Sequence, residues 1–161
     1  MKKNIGVQMN NIDKIYQKCN TVSEFSKSYF GYLKLVLDNI KVNQVDDFVN
    51  ALLVAREKDA SIFFIGNGGS AATATHFAND IAIGTRSSGK PFRAQSLCDN
   101  QAIITAISND DGYQQVFSKQ LEVLAKKGDL VIFISASGNS PSIIHAIKTA
   151  SKKGAKTIGL S

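Results

Sequence analysis

The 161-residue chain has no tryptophan, only two prolines and only two cysteines. Cys19 and Cys98 are far apart, which excludes a CxxC metal motif and the dense disulfide framework of small secreted domains. We therefore expect reduced thiols and a cytoplasmic protein. With 43% hydrophobic and 20% charged residues, the composition is typical of a globular domain rather than a disordered or fibrous chain.

Long apolar runs are also missing. The N-terminal stretch MKKNIGVQMNNIDKIYQKC lacks the continuous apolar region of a signal peptide. No run in the chain approaches the roughly 20 apolar residues of a membrane span. These absences predict a soluble protein with no membrane partner.

The charge of the chain is positive but not clustered. Lysine and arginine number 19 against 13 acidic residues, giving a net charge of +6, and the lysines are scattered. A nucleic-acid-binding surface more often combines clustered basic residues with exposed aromatic ones. The pattern therefore argues against a nucleic-acid partner and is equally compatible with an anionic small-molecule substrate.

Helical and strand patterns alternate along most of the chain. Apolar spacing predicts helices within residues 10–40, with a break and a cap near Thr21. Further helices are predicted over 45–58, 69–83, 99–107, 113–127 (ended by Gly128) and after the loop GNSPS. Strands are predicted at SIFFIG, RAQSLC, DLVIFISAS and AKTIGLS. This alternation predicts an α/β fold, a three-layer αβα sandwich with a central parallel sheet, preceded by N-terminal helices.

The pattern divides the chain into an N-terminal helical segment, 1–44, and an α/β domain, 45–161. In the first segment apolar side chains lie on more than one helical face, with Tyr32 and Leu35 beside Phe30 and Leu33. Such a helix has more apolar surface than one core can cover. We expect this segment to contact another subunit.

Two similar loops follow two of the predicted strands, in FFIGNGGSAA and FISASGNSPS. Ligands of parallel sheets bind outside the carboxyl ends of the strands, where both loops are expected. Glycine permits close backbone approach, and the helix after each loop offers free N–H groups to an anion such as phosphate. The second loop, with Ser135, Ser137 and Ser140 and the backbone around Gly138 and Asn139, forms the more complete phosphate cradle.

Other phosphate motifs match less well. A P-loop requires GxxxxGK[ST], and neither loop has that lysine. A dinucleotide fingerprint requires GxGxxG, whose third glycine is Ala71 here; alanine is tolerated at some such sites, so this alternative is weakened rather than removed. A single Gly-Asn-Gly sequence is also compatible with a plain turn, but two matched loops favour a ligand site.

Acidic residues and a histidine follow the first loop. His76 and Asp80, in THFANDIA, are four residues apart and share one helical face. That spacing suits a metal pair or an acid/base pair, although each residue alone is more often structural. Asp110 and Asp111, in SNDDGY, fit either a turn or a carboxylate at the site.

The motifs FIGNGGSAATATHFANDI and AISNDDGYQQVFSKQLEVLAKKGDLVIFISASGNSPS resemble those of the sugar isomerase (SIS) domain, and within it the bacterial sedoheptulose 7-phosphate isomerases. The resemblance extends from near residue 45 to the end. It implies an aldose-ketose isomerase that converts sedoheptulose 7-phosphate to D-glycero-D-manno-heptose 7-phosphate, for the heptose of lipopolysaccharide or capsule. It also implies a cytoplasmic homotetramer, with sites between subunits and often with zinc.

Carried over position by position, the resemblance implies three groups of site residues. The phosphate would be bound by Ser135, Ala136, Ser137, Gly138, Asn139 and Ser140. The sugar would be bound by Asn67, Gly68, Gly69, Ser70 and Asp110. Zinc would be bound by His76 and Asp80, and Asp80 also occupies the position of the family's catalytic glutamate.

The chain departs from the family pattern in ways that keep alternatives open. Aspartate is one methylene shorter than glutamate, which displaces the carboxylate by more than about an ångström. A family arginine is replaced by Gly84, and the C-terminal strand and helix that carry further family residues are absent, so we expect an incomplete sequence. The alternatives are a sugar-phosphate-binding SIS protein without catalysis, acting as a sensor or interaction module, and an isomerase of another sugar phosphate.

Overall fold

The computed structural model describes residues 10–87 and 89–161, and its contacts divide the chain into two compact units, 1–44 and 45–161. The first unit contains α1 (Asn11–Tyr16) and α2 (Val22–Asp38). The predicted break near Thr21 is confirmed, since the Thr21 side chain caps α2 by accepting a hydrogen bond from the Glu24 N–H at 3.2 Å. The cap satisfies one of the free N–H groups at the start of the helix.

Helix α2 leaves its apolar residues uncovered. None of its 17 residues is buried, and Phe30 and Leu35 are 64% and 62% exposed. Aromatic contacts within the first unit join Tyr16, Phe25 and Tyr29. Contiguous apolar exposure of this kind marks an interaction surface more often than a free one.

The α/β unit alternates strands and helices after α3 (Val42–Glu57), which begins at the boundary between the units. The strands are β1 (Ser61–Gly66), β2 (Arg93–Ser96), β3 (Leu130–Ile134) and β4 (Lys156–Leu160). The further helices are α4 (Gly69–Asn79), α5 (Gln101–Asp110), α6 (Ser118–Leu124) and α7 (Pro141–Lys152). Helix α4 continues as a π-helical turn, Asp80–Gly84, and a 3₁₀ turn, Tyr113–Gln115, precedes α6.

The four strands form one parallel sheet in the order β2-β1-β3-β4. Side chains of the central strands alternate between two apolar clusters, as the strand period of two requires. One cluster contains Phe63, Ile65, Val131 and Phe133 with residues of α6 and α7. The other contains Ile62, Phe64, Leu130 and Ile132 with residues of α3 and α4. Helices therefore cover both faces, and the predicted three-layer αβα sandwich is confirmed.

The predicted helix over 113–127 is wrong at both ends. Val116, Phe117 and Ser118 are consecutive and all buried, which one amphipathic face cannot accommodate. The helix ends at Leu124, because Ala125 is extended and the Lys126 N–H donates to the Asp129 carboxylate at 2.8 Å. Gly128 does not end the helix and instead donates its N–H to the Gly154 carbonyl.

Asp129 also binds the first residue of β1. Its other carboxylate oxygen accepts a hydrogen bond from the Ser61 N–H at 2.8 Å. The residue is 6% exposed, so both bonds lie in a largely desolvated position where an unpaired carboxylate would be costly. In the described part of the chain, no helix combines the length and apolar character needed to cross a membrane.

Candidate active site

The first loop leaves β1 and turns directly into α4. Gly68, before the first residue of α4, has φ +52° and ψ −122°, a conformation that residues with a Cβ rarely adopt. The Ser70 N–H donates to the Asn67 carbonyl at 2.9 Å, which closes the turn. Gly68 and Gly69 are exposed and Ser70 is half-buried, so the start of α4 is open to a ligand.

The second loop leaves β3 and turns into α7. The Ser135 hydroxyl accepts from the Gly138 N–H at 3.1 Å, and the Ser137 hydroxyl accepts from the Asn139 N–H at 3.4 Å. Each hydroxyl keeps its own proton for donation to an anion. Ser140 precedes α7 without capping it through its side chain. Ala136, Ser137, Gly138 and Asn139 are exposed.

The structure joins the two loops through Asn67. Its side-chain nitrogen donates to the Ser142 hydroxyl, in the first turn of α7, at 2.9 Å. Its side-chain oxygen accepts from the Tyr113 hydroxyl at 2.8 Å. Since β1 and β3 are neighbours in the sheet, the predicted sugar and phosphate loops share one edge.

His76 and Asp80 form a pair on α4. The His76 Nε2 and an Asp80 carboxylate oxygen are 3.3 Å apart, and the side chains are 78% and 55% exposed. The Asn79 amide donates to the other Asp80 oxygen at 3.2 Å. Asp80 begins the π-helical turn, a feature frequent at functional sites.

The pair by itself does not complete a zinc site. A catalytic zinc takes three protein ligands and a structural zinc takes four. In residues 10–87 and 89–161, no group of three or more histidine, cysteine, aspartate or glutamate side chains is placed to hold a metal ion. His76 and Asp80 can supply two ligands, and the described residues do not supply a third.

The acidic residues after α5 are separate from this pair. Asp110 is exposed and accepts a hydrogen bond from the Asn109 amide at 2.8 Å, whereas Asp111 pairs with Lys119 at 3.4 Å. Within the described chain, no hydrogen bond or ion pair links His76, Asp80 or Asp110 to either loop. The geometry thus groups the two loops but leaves the three outlying residues on their own elements.

Five residues near the loops were missed by the sequence analysis. Tyr113 and Ser142 orient the Asn67 side chain. The position of Ser142, in the first helical turn after a serine-rich loop, was a signal that could have identified it. Tyr113 was missed because it was assigned to the predicted helix 113–127. Thr75 donates to the Asp99 carboxylate and lies 3.3 Å from the Ser96 hydroxyl, tying α4 to the end of β2. No sequence motif marks that contact.

Cys98 lies beneath the first loop. Its thiol donates to the Gly66 carbonyl at 3.3 Å, and its N–H donates to the Ser96 hydroxyl at 3.0 Å. Burial raises the pKa of the Cys98 thiol; the hydrogen bonds with Ser96 and Gly66 oppose the rise and the Asp99 charge adds to it. A neutral, partly buried thiol in this place supports the loop rather than acting as a nucleophile.

A parallel sheet with matched loops at the carboxyl ends of β1 and β3 defines a domain that binds its ligand at that edge. The SIS domain family matches residues 28–161, so the chain belongs to the SIS-domain family.

Within that family the chain is similar to phosphoheptose isomerases. It is 43% identical to the phosphoheptose isomerase of Nitratidesulfovibrio vulgaris (strain Miyazaki F) over 111 residues, which cover 69% of this chain and 52% of that protein. It is 36% identical to the phosphoheptose isomerase of Maridesulfovibrio salexigens over 151 residues, which cover 93% of this chain and 69% of that protein. The chain thus spans about half to two-thirds of these relatives.

The fold is also similar to a solved phosphoheptose isomerase, that of Neisseria gonorrhoeae. The two structures superpose with a TM-score of 0.77 at 34% sequence identity, over 86% of this chain and 74% of the other. The predicted family resemblance is confirmed by these matches.

Proposed function

We propose that the protein is an aldose-ketose isomerase that converts sedoheptulose 7-phosphate to D-glycero-D-manno-heptose 7-phosphate. The observation that carries the proposal is the pair of hydrogen bonds through Asn67, which places a serine-rich anion loop beside a glycine-rich loop at one sheet edge. The similarity to phosphoheptose isomerases supports the choice of a seven-carbon sugar phosphate. The product would supply heptose for lipopolysaccharide or capsule.

The second loop binds the phosphate in this proposal. Hydroxyl donors from Ser135, Ser137 and Ser140 and exposed backbone around Gly138 surround the N-terminus of α7, which carries 12 helical residues. The positive end of a helix dipole and free N–H groups favour a dianion there. The sugar hydroxyls then extend toward Asn67, Gly68, Gly69 and Ser70, with Asp110 as a further contact.

Asp80 is the base of the proposed reaction. Its carboxylate removes a proton from C1 of the open-chain ketose, and the C1–H electron pair forms the C1–C2 double bond of an enediol. The same proton returns to C2, and the hydroxyl proton of O1 moves to O2, so the aldose is formed without an oxidant. A base of this kind contributes about 10² to 10⁴ in rate.

His76 orients the Asp80 carboxylate through the 3.3 Å contact. The two side chains could also contribute ligands to a zinc ion, and additional ligands from outside the described residues would be needed. No step of the reaction above depends on that ion.

We further propose a cytoplasmic homotetramer. The uncovered apolar residues of α2 support assembly through the N-terminal helical segment. Size-exclusion chromatography with light scattering tests it, and a monomer at micromolar concentration would contradict it. Replacing Phe30 and Leu35 with serine should lower the oligomeric state, whereas Lys27→Ser, an exposed α2 residue of polar type, should not.

The decisive experiment is turnover. The natural full-length protein is incubated with sedoheptulose 7-phosphate, and the aldose is measured by NMR or by coupled oxidation. We expect conversion by the wild type and its loss in Ser137→Asp, because the introduced negative charge repels the phosphate. Ser151→Asp, which places the same charge on an exposed residue near the end of α7, serves as the control.

Asp80 favours one alternative, a sugar-phosphate-binding protein without catalysis, because the carboxylate reaches less far than the family's glutamate. A thermal-shift titration with sedoheptulose 7-phosphate distinguishes the two. Stabilisation without turnover supports a sensor. Stabilisation with turnover of a different ketose phosphate supports an isomerase of another sugar, and absence of both removes the sugar-phosphate proposal.

A further inference from the structure

A second concave site lies at the opposite edge of the sheet, where the strands begin. A cavity of about 310 Å³ is lined by residues at or just before the first residues of β1, β2 and β3, among them Lys58, Arg93, Lys126 and Lys127. The candidate active site lies where β1 and β3 end. Strands of five to six residues separate the two edges by roughly 15 to 20 Å, so one small ligand cannot occupy both.

Three lysines of the cavity form no ion pair with a carboxylate of the described residues. Among the described residues, no aspartate or glutamate oxygen lies within 4 Å of the ammonium groups of Lys58, Lys126 or Lys127. Lysine is usually placed with its ammonium in water, but three in one concavity raise the local positive potential. The arrangement favours a bound anion.

Arg93 differs from the lysines because it is held in place. Its guanidinium donates to the Asp59 carboxylate at 3.1 Å and to the Asp59 carbonyl at 3.0 Å. Asp59 adopts the left-handed backbone conformation, with φ +54°. A guanidinium fixed by one carboxylate still has donors on its other nitrogens, which suit a phosphate oxygen.

The carboxylates of the cavity are already engaged. Asp59 pairs with Arg93, and the two oxygens of Asp129 accept the N–H groups of Ser61 and Lys126. Four cationic side chains against these two carboxylates leave a net local charge of +2. That charge matches one or two phosphate groups rather than a neutral ligand.

An apolar cavity of about 280 Å³ adjoins the basic one, and the two share Lys58 and Gly128 in their walls. Its lining includes Val54, Ala55, Leu130 and Ala155. Together the cavities fall within the 300 to 1,000 Å³ typical of small-molecule sites. The first cavity therefore suits phosphate, and the second, whose lining also includes Lys58 and Lys156, offers apolar contacts to a group attached to that phosphate.

We propose that this edge of the sheet binds a nucleoside diphosphate. The phosphates lie among Lys58, Lys126, Lys127 and Arg93, and the base lies against Val54 and Ala155. The site is separate from the candidate active site and does not depend on the isomerase reaction. It gives the protein a means of sensing a nucleotide at the face remote from its sugar phosphate.

The test is isothermal titration of the protein with ADP at about 50 mM salt, where exposed charges are weakly screened. Lys58→Gln/Lys126→Gln/Lys127→Gln should weaken ADP binding by tenfold or more. Lys14→Gln/Lys148→Gln/Lys152→Gln makes the same change in net charge with exposed lysines that line neither cavity, and should change affinity by less than twofold. Equal effects of the two triple variants would overturn the proposal.

Two further comparisons place the ligand. Pyrophosphate and adenosine should each bind more weakly than ADP, and Val54→Ser should weaken ADP but not pyrophosphate. NMR shifts on adding ADP should fall on the amides of Ala60, Gly128 and Ala155. Equal affinities for ADP and pyrophosphate, or shifts confined to residues 135–140, would overturn the nucleotide site.

Discussion

The Tyr113 hydroxyl donates a hydrogen bond to the side-chain oxygen of Asn67 at 2.8 Å. This bond directs the amide nitrogen toward Ser142, which is 2% exposed and accepts from it at 2.9 Å. An amide nitrogen has two protons, so one N–H remains for a ligand. Tyr113 thereby decides which part of Asn67 a sugar would meet.

Tyr113→Phe removes this bond and leaves the ring. We expect kcat/KM for the sugar phosphate to fall about 5- to 30-fold, which corresponds to about 1 to 2 kcal/mol. Because Tyr113 is 51% exposed, the free energy of unfolding in urea should change by less than about 1 kcal/mol.

Tyr32→Phe is the matched control, since the Tyr32 hydroxyl accepts a bond from Asn11 in the first unit. It should leave kcat/KM unchanged. A loss in Tyr113→Phe that is confined to stability would show that the bond has no part in orienting Asn67.

Replacement by alanine should have different effects on stability at Gly66 and Gly69, which lie at the two ends of the first loop. A Cβ on Gly66 would lie 2.4 Å from the Ser70 carbonyl oxygen, whereas a Cβ on Gly69 would meet nothing within 4 Å. We expect Gly66→Ala to lower the free energy of unfolding by about 1 to 3 kcal/mol. Gly69→Ala should keep the stability and reduce activity, because its methyl group would enter the space proposed for the sugar.

Urea denaturation and kinetics on both variants measure the contrast. Wild-type stability in Gly66→Ala would mean that the first loop yields to the added methyl group. Full activity in Gly69→Ala would place the sugar away from the start of α4.

Asp80→Asn keeps the shape of the side chain and removes the charge of the proposed base. We expect kcat to fall by about 10² to 10⁴. The side chain is 55% exposed, so the melting temperature should hardly change. Asp47→Asn, at an exposed carboxylate of α3, should retain full kcat; if Asp80→Asn does so too, another group removes the proton.

The pattern of apolar strands predicts the sheet well because β1 and β3 are buried on both faces. Such strands need continuous apolar runs, and FFI and VIFI cannot lie elsewhere in a globular domain. The loops were also predictable, since glycine, serine and asparagine after a buried strand have few structural reasons to be there.

The segment 113–127 shows what the sequence cannot predict. Its apolar spacing fits a helix, but burial of Val116, Phe117 and Ser118 on three sides depends on elements distant in the chain. At the other end the chain leaves the helix after Leu124, where the Lys126 N–H donates to the Asp129 carboxylate. The other oxygen of that carboxylate accepts from the N–H of Ser61, which is distant in the chain. Local periodicity does not contain these long-range contacts, so it could not predict that Tyr113 lies in a separate 3₁₀ turn.

Ionisation of the Cys98 thiol should lower the free energy of unfolding at alkaline pH. Because its pKa is raised in the fold, the neutral thiol is favoured there, and its contribution is complete below the ordinary thiol pKa of 9.0. That contribution is lost as the pH rises through the raised pKa. We expect the free energy of unfolding of the wild type to fall more steeply with pH, above about pH 9, than that of Cys98→Ala.

Urea denaturation at several pH values measures this difference. Identical slopes for the two proteins would mean that the Cys98 thiol ionises as readily in the fold as in the unfolded chain.

The Asn67–Ser142 hydrogen bond joins residues 75 positions apart, and it forms only after the chain has crossed over to pair β3 with β1. Closing so long a loop costs entropy before any contact repays it. A chain that has formed only its first β-α-β portion therefore has only one of the two loops in place. A ligand that contacts both loops would stabilise only the chain in which β3 has paired with β1.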